Sequence, residues 1–395
     1  MTGYRRVLAV PGMAPLLGVS LLARTAMTAD VMALTMVVVL GLHRSYAAAG
    51  VVAAALTAGI ALGGPLLGRA IDRRGVRKVL VVTSGLQVVF WLGVPLMPYD
   101  ILVCSCVVAG LLMVPAQSVT RQAIAAMTTP EQRRPAFALE AVQGEVSYIV
   151  GPALVIVCAA QTSPGLVAGV VGAAIAAGGF GLARLDPPVR TAEEAGAGAG
   201  ERPPRRQWLG AGLVAVLMMG VGATALLSGV DLAIVAVLRE ADQMSWAAGV
   251  VAVFGVASVT GGLLYGALPR SLPTWVLLGL LALVTVPAGL ARTWPWLCVA
   301  VVGIGLLTAP TLSAIADAVS RLVPAAVRGE ATGLQSSAQS GGFAVGSPLA
   351  GLAIDLTGPA GGFAAAGLAA LVTALIGGVA SLRAAPLRGG RTDCI

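Results

Sequence analysis

Charge is scarce in this chain. Asp, Glu, Lys and Arg make up 11% of its 395 residues while 57% are hydrophobic, a balance that leaves too little polar surface to cover a soluble globule. Histidine occurs once, as His43, and a single imidazole cannot build a metal site. The five cysteines (Cys104, Cys106, Cys158, Cys298 and Cys394) are odd in number, lack metal-ligand spacing and fall mostly inside apolar runs, so they read as packing filler. No nucleophile constellation or phosphate-cradling loop is readable, so an enzyme is not expected, nor is a metal or other cofactor. Aromatics are few as well, at 4%, which argues against a cage for flat polycyclic compounds; Tyr148 is the best candidate for a cavity aromatic.

What is there is hydrophobic length. The mean hydropathy is +0.92, and apolar stretches near twenty residues recur from end to end. A hydrocarbon slab about 30 Å thick needs roughly 20 helical residues to cross it. The runs between charged or Pro/Gly-rich breaks give twelve predicted spans, near 15–40, 48–70, 78–97, 101–126, 135–159, 165–184, 208–238, 247–268, 273–291, 295–321, 329–356 and 361–382. The chain therefore reads as an all-α membrane protein.

The breaks alternate in charge, as the positive-inside rule requires of a polytopic protein. Arg5, Arg6, Arg69, Arg73, Arg74, Arg77, Lys78, Arg121, Arg133, Arg134, Arg270, Arg321 and Arg328, with the linker and tail arginines, fall on one set of breaks, and only Arg44, Arg239 and Arg292 on the other. This pattern predicts a multi-pass protein of the inner (plasma) membrane with both termini cytoplasmic. The net charge of +8 then reflects attraction to anionic lipid at the inner surface. Nucleic acid is not an expected partner, because the basic residues are scattered over separate loops. No removable signal peptide is read at the N-terminus, where Tyr4 to Pro15 can lie along the interface before the first span.

The chain also repeats itself. Ala48-Ala49-Gly50-Val51-Val52-Ala53 recurs as Ala247-Ala248-Gly249-Val250-Val251-Ala252, and Gly63-Gly64 with Gly68 recurs as Gly261-Gly262 with Gly266. Leu111-Leu112 with Pro115 matches Leu306-Leu307 with Pro310, and Pro130 with Arg134 matches Pro324 with Arg328. The offset falls only from 199 residues (Ala48 to Ala247) to 194 (Pro130 to Pro324). Two parallel six-helix halves follow, over 1–184 and 208–395, with a flexible cytoplasmic linker over 185–207 that carries Glu193-Glu194 and Pro203-Pro204-Arg205-Arg206.

Between the second and third spans lies Gly68-Arg69-Ala70-Ile71-Asp72-Arg73-Arg74-Gly75-Val76-Arg77-Lys78. This segment fits G-x-x-x-D-R-x-G-x-R-K and resembles the loop that major facilitator superfamily transporters carry at this place. The resemblance implies two six-helix bundles with a substrate site between them near the bilayer midplane. It further implies that Gly68, Asp72, Arg73, Gly75, Arg77 and Lys78 form a conformational latch, in which Asp72 caps the N-terminal end of span 11 while Arg73, Arg77 and Lys78 pair locally. The second half has lost this motif, and Arg270 stands opposite Asp72. In span 5, Gly144 followed by Gly151-Pro152 resembles the antiporter motif of drug-exporting members, without the paired glycines that follow it there. Span 11 echoes it with Gly341-Gly342, Gly346 and Pro348. The Arg-x-x-Gln-Gly motif that often marks span 4 is missing: in the frame of Gly110, Cys106 and Ala109 stand for its Arg and Gln.

Charges inside spans are expensive, about 2.5 to 3.5 kcal/mol each at a helix centre on insertion scales, and so mark function. Arg24, Asp30 and Glu145 fall roughly 13 to 23 Å deep when counted at 1.5 Å per residue. Glu140 is shallower, Asp317 lies near a cytoplasmic end, and Asp231 and Asp355 lie toward outer ends. The expected proton-coupling and cavity residues are Arg24, Asp30, Glu145, Tyr148 and Glu140, since a carboxylate that desolvation can hold neutral is a natural proton carrier. With one deep arginine among several acids, the balance tilts toward cationic or neutral substrates. The function read from these residues is secondary active, proton-coupled export of small amphipathic compounds, drugs or metabolites, by a monomer that partners with protons and the lipid bilayer. The alternatives are an importer or facilitator of a polar nutrient and a lipid-moving, scramblase-like protein.

Overall fold

The computed structural model describes residues 2–159, 161–191, 203–268 and 272–384. The linker core (192–202), Arg270, Cys394 and the tail arginines Arg388 and Arg391 lie outside the described residues. Those described are helical almost throughout, with no strand among them. The helices of the first half are α1 (Thr2–Leu8), α2 (Met13–Thr28), α3 (Asp30–Met36), α4 (Tyr46–Arg74), α5 (Val76–Gly93), α6 (Tyr99–Leu111), α7 (Ala116–Met127), α8 (Pro130–Ala159) and α9 (Pro164–Leu185). Those of the second are α10 (Arg205–Trp208), α11 (Ala211–Glu240), α12 (Ala247–Ala267), α13 (Thr274–Ala288), α14 (Trp294–Leu322), α15 (Arg328–Thr357) and α16 (Pro359–Ala384).

Ten helical stretches among the described residues are long and apolar enough to cross a bilayer. Helix α13 is apolar but shorter, and α15 is long but carries Gln335, Ser336, Ser337, Gln339 and Ser340. With the ten, these two occupy the twelve predicted places. Two of the spans are interrupted. Met13–Gly41 breaks between α2 and α3, just before Asp30, and ends in a π-helical turn over Val37–Gly41. Tyr99–Met127 breaks ahead of Pro115, which supplies no amide hydrogen to continue the ladder of α6.

The chain divides into two compact units, Met1–Arg202 with Ala325–Ser340, and Pro203–Pro324 with Gly341–Ile395. The start of α15 thus groups with the first unit and its remainder with the second. In each unit the repeated glycines bring backbones together. A Cβ on Gly63 would stand 2.2 Å from the carbonyl oxygen of Leu111, and one on Gly261 would stand 2.0 Å from that of Leu306. The reverse contact repeats too: Gly110 meets the Leu56 carbonyl and Gly305 meets that of Phe254. So the sequence repeat corresponds to one packing contact made twice, a small-residue approach that replaces the hydrophobic drive lipid tails cannot supply. Large apolar side chains such as Leu62, Leu66, Val89, Leu92, Val256 and Leu264 are left on the outside, where they meet hydrocarbon.

These contacts make opposite predictions for two kinds of glycine. Gly63→Ala and Gly261→Ala force a methyl into a carbonyl and should each destabilise by about 1 to 3 kcal/mol. Gly50→Ala and Gly279→Ala meet nothing within 4 Å and should be neutral or stabilising by up to about 1 kcal/mol through helix propensity. Thermal melting of the four purified variants checks the signs.

Candidate functional site

The polar interior of the first unit is built where α2 lies against α8. Their shared seam is made of small and hydroxylated residues, so the two backbones come close and side chains can reach across. Gln143 Nε2 donates to the Leu17 carbonyl (2.8 Å), Thr25 Oγ1 to Ser147 Oγ (3.2 Å) and Thr28 Oγ1 to the Ser147 carbonyl (2.6 Å). A Cβ on Gly151 would stand 2.3 Å from Thr28 Oγ1, and one on Gly144 would stand 2.6 Å from an Arg24 guanidinium nitrogen. Gly144 therefore makes room for Arg24. Pro152, inside α8, has no amide hydrogen to contribute to the helix ladder.

At the centre of this seam sits an ion cluster. Arg24 Nη1 donates to Glu140 Oε1 at 2.5 Å and to the Glu140 carbonyl at 3.1 Å, and Arg121 Nε donates to the same carboxylate oxygen at 3.3 Å. Glu140 is wholly buried and Arg121 is 5% exposed. Arg121 Nη1 also donates to Gln339 Oε1 of α15 (3.4 Å), and the Gln117 carbonyl oxygen, in the orientation that satisfies both partners, accepts from Arg121 Nη2 (2.9 Å) and Arg24 Nη2 (3.3 Å). Counted along their helices, Arg24 and Glu140 each lie roughly 15 Å from the helix start. Two guanidiniums around one carboxylate leave a surplus positive charge in this cluster.

This arrangement corrects the sequence reading in two places. Arg121 is not on a cytoplasmic break: it lies within α7, inside the span, and is buried because Glu140 compensates it. Glu140, ranked below Arg24, Asp30 and Glu145 in depth, is the residue that holds both arginines. Asp30 is 4% exposed and stands at the break between α2 and α3, where its carboxylate accepts from the amide of Val31 (2.5 Å). Cys106, which takes the place of the family's span-4 arginine, is buried. Glu145 is buried on α8, and Tyr148, three residues on, is half exposed. Asp317 pairs with Arg321 one turn along α14, and Asp355 is exposed.

At the other end of α4, Asp72 reaches the start of α15. Its Oδ1 accepts from the amide of Gly329 (2.9 Å) and its Oδ2 from that of Glu330 (3.0 Å), two of the four donors that a helix start leaves unpaired. The approach depends on Gly68 and Gly64, whose added Cβ atoms would stand 2.0 Å from the Gly329 carbonyl and 2.7 Å from the Gly333 carbonyl. Gly75 has φ 84° and ψ 156°, a conformation open to glycine, and turns the chain from α4 into α5. Arg73, Arg77 and Lys78 are exposed and make no ion pair among the described residues, contrary to the local pairing expected of them. The only neighbouring carboxylate in the motif, Asp72, has both oxygens on α15. Further along, Ser337 Oγ donates to the Ala61 carbonyl (2.5 Å), and Ser118 and Thr332 share a hydrogen bond of 2.6 Å, so α15 is tied to α4 and α7 from the cap to the level of Arg121.

The sequence profile of the Major Facilitator Superfamily matches residues 16–278, more than half of the chain. The chain belongs to the major facilitator superfamily. It is similar in fold to the human organic anion transporter MFSD10 (TETRAN), at 16% identity and TM-score 0.71, over 95% of this chain and 99% of that one. It is likewise similar to a bacterial homologue of the iron transporter ferroportin in an outward-facing state (14% identity, TM-score 0.74, 94% and 99% covered). The proton:xylose symporter XylE bound to 6-bromo-6-deoxy-D-glucose gives 14% identity and TM-score 0.66 over 91% and 94%. No curated protein matches the sequence. The chain is thus a multi-pass membrane protein with a transporter fold, as the motif implied.

Two predictions come from this geometry. Asp72→Ala removes two charge-assisted hydrogen bonds from the start of α15, so hydrogen exchange at the Gly329 and Glu330 amides should rise by about two- to fivefold, the equivalent of about 0.3 to 1 kcal/mol; unchanged exchange rules out the cap. Glu140→Gln leaves two buried guanidiniums facing each other and should cost about 3 to 5 kcal/mol. Arg121→Gln leaves the Arg24–Glu140 pair balanced and should cost less, an order that melting temperatures test.

Proposed function

We propose that this protein is a secondary active transporter that exports small amphipathic compounds in exchange for protons, by alternating access across the inner membrane with both termini cytoplasmic. The observation that carries the reading is the unequal commitment of the buried carboxylates. Glu140 is held by two arginines and serves as a fixed counter-ion. Asp30, at a helix break in mid-span, is bonded to a backbone amide and faces no cation among the described residues. A carboxylate so placed can take up and release a proton without first breaking an ion pair. Glu145 is the second candidate carrier. Asp72 on the start of α15 would bias the equilibrium between the two alternating states, since an acid at a helix N-terminus is worth about 0.3 to 1 kcal/mol.

The tilt toward cationic or neutral substrates rested on a single deep arginine. Arg121 beside Arg24 narrows that excess to two arginines against Asp30, Glu140 and Glu145, and the two guanidiniums gathered at Glu140 are what favours a compound that carries an anionic group. The organic anion transporter among its structural relatives is compatible with this preference, at an identity that speaks for the fold alone.

In proteoliposomes with an imposed pH gradient, Asp30→Asn and Glu145→Gln should each abolish gradient-driven transport of an amphipathic acid while expression and downhill exchange persist. Unchanged pH dependence in both variants defeats proton coupling through these residues. A transport rate insensitive to the gradient in the native protein favours a facilitator instead.

A further inference from the structure

Outside the polar interior, the first unit has a second concentration of unpaired charge, where the start of α5 meets the end of α9. An open cavity of about 400 Å3 there is lined by Arg77 and Val81 of α5 and by Phe180, Ala183 and Arg184 of α9. Each helix contributes an arginine at its tip and an exposed apolar side chain one turn further in. Val81 is 45% exposed and Phe180 42%. Arg77 is the second residue of α5 and Arg184 the penultimate residue of α9, so both guanidiniums lie at one end of two membrane-length helices. Neither has a hydrogen bond or ion pair among the described residues, and Asp186, two residues past Arg184, is not paired with it.

Topology alone would need positive charge at this surface, and Arg73, Arg74 and Lys78 already supply it. It would not need two arginines from different helices to face one cavity above an exposed phenylalanine. We propose that this cavity binds an anionic phospholipid, with its phosphate between Arg77 and Arg184 and an acyl chain laid along Val81 and Phe180. The chemistry fits at both ends. A guanidinium pair matches the forked oxygens of a phosphate diester, and the apolar floor continues into the hydrocarbon that surrounds the helices. The unpaired amides at the start of α5 add attraction for the anion, since Arg77 sits in that first turn. The site is independent of the transport reading above, because it needs neither the ion cluster nor a substrate.

The test uses the full-length protein in nanodiscs of phosphatidylcholine doped with phosphatidylglycerol, with bound lipid counted by native mass spectrometry. A saturable single phosphatidylglycerol should be retained. Arg77→Gln and Arg184→Gln should each weaken it about fivefold and the double variant about thirtyfold, from about 1 kcal/mol per basic residue at a membrane surface. Arg77→Lys should weaken it by about threefold, less than Arg77→Gln, because the charge remains while the forked donor pair is lost. Arg74→Gln, in the same loop but outside the cavity, should change retention by less than about twofold. Phe180→Ser should weaken phosphatidylglycerol while leaving any binding of glycerol 3-phosphate unchanged. Equal losses from Arg74→Gln and Arg77→Gln would mean diffuse attraction and overturn the site. Glycerol 3-phosphate competing at the lipid's own concentration would mean an anion pocket with no role for the chain, and overturns it as well.

Discussion

Hydrocarbon offers no hydrogen-bond partner, and most features of this protein are answers to that one condition. A backbone polar group left unpaired in lipid costs several kcal/mol, so the described chain is helical nearly throughout, and its two interrupted spans break where side chains and prolines take over. Helices that gain nothing from hydrophobic exclusion must associate through close contact. Gly63 on Leu111 and Gly261 on Leu306 are the same answer given once in each unit. The hydroxyl groups of Thr25, Thr28 and Ser147 satisfy each other or nearby carbonyls across the α2–α8 seam for the same reason.

Ions feel the condition most strongly. Arg24 and Arg121 persist at depth because Glu140 lies between them, and Glu140 persists because two cations meet it. The cluster is mutually dependent, which makes it a poor place for a proton to come and go. Asp30 is different, since its carboxylate leans on a backbone amide. A division of labour between a fixed counter-ion and an exchangeable acid is a physical basis for coupling, and it needs no arginine at the position of Cys106. The cap on α15 belongs to the same network: from Asp72 through Ser118–Thr332 to Arg121–Gln339, one face of α15 is bonded to α4 and α7. Whatever moves α15 must break these bonds together.

Much of this was legible in the sequence. Length and apolarity located the spans, including α13 and α15, which are less apolar or shorter than the other ten. The spacing of Gly68, Asp72 and Gly75 pointed to the loop that ends α4. The depth of Arg24, Asp30 and Glu145 picked them out as unusual, while Glu140 read as shallower. Arg121 was misplaced because a charge six residues from a helix end looks the same, in sequence, as one on the loop beyond it. A signal was available: Gln117, Ser118, Thr120, Arg121 and Gln122 form a polar run inside a span, which only an internal partner could explain. Local pairing of Arg73, Arg77 and Lys78 was what the family resemblance implied, yet none of the three has an ion pair among the described residues, and Asp72 is bonded to amides more than 250 residues away.

Sequence alone determined what the bilayer reads directly: which segments are apolar enough to cross it, where charge interrupts them, and that the pattern occurs twice. These are properties of each segment by itself, since transfer into hydrocarbon sums over residues. Only the tertiary structure decided which charges meet. Whether Glu140 or Glu145 receives Arg24, and whether Arg121 faces inward, depends on the rotation of α2, α7 and α8 about their axes, and that rotation is set by small-residue contacts among helices far apart in the chain.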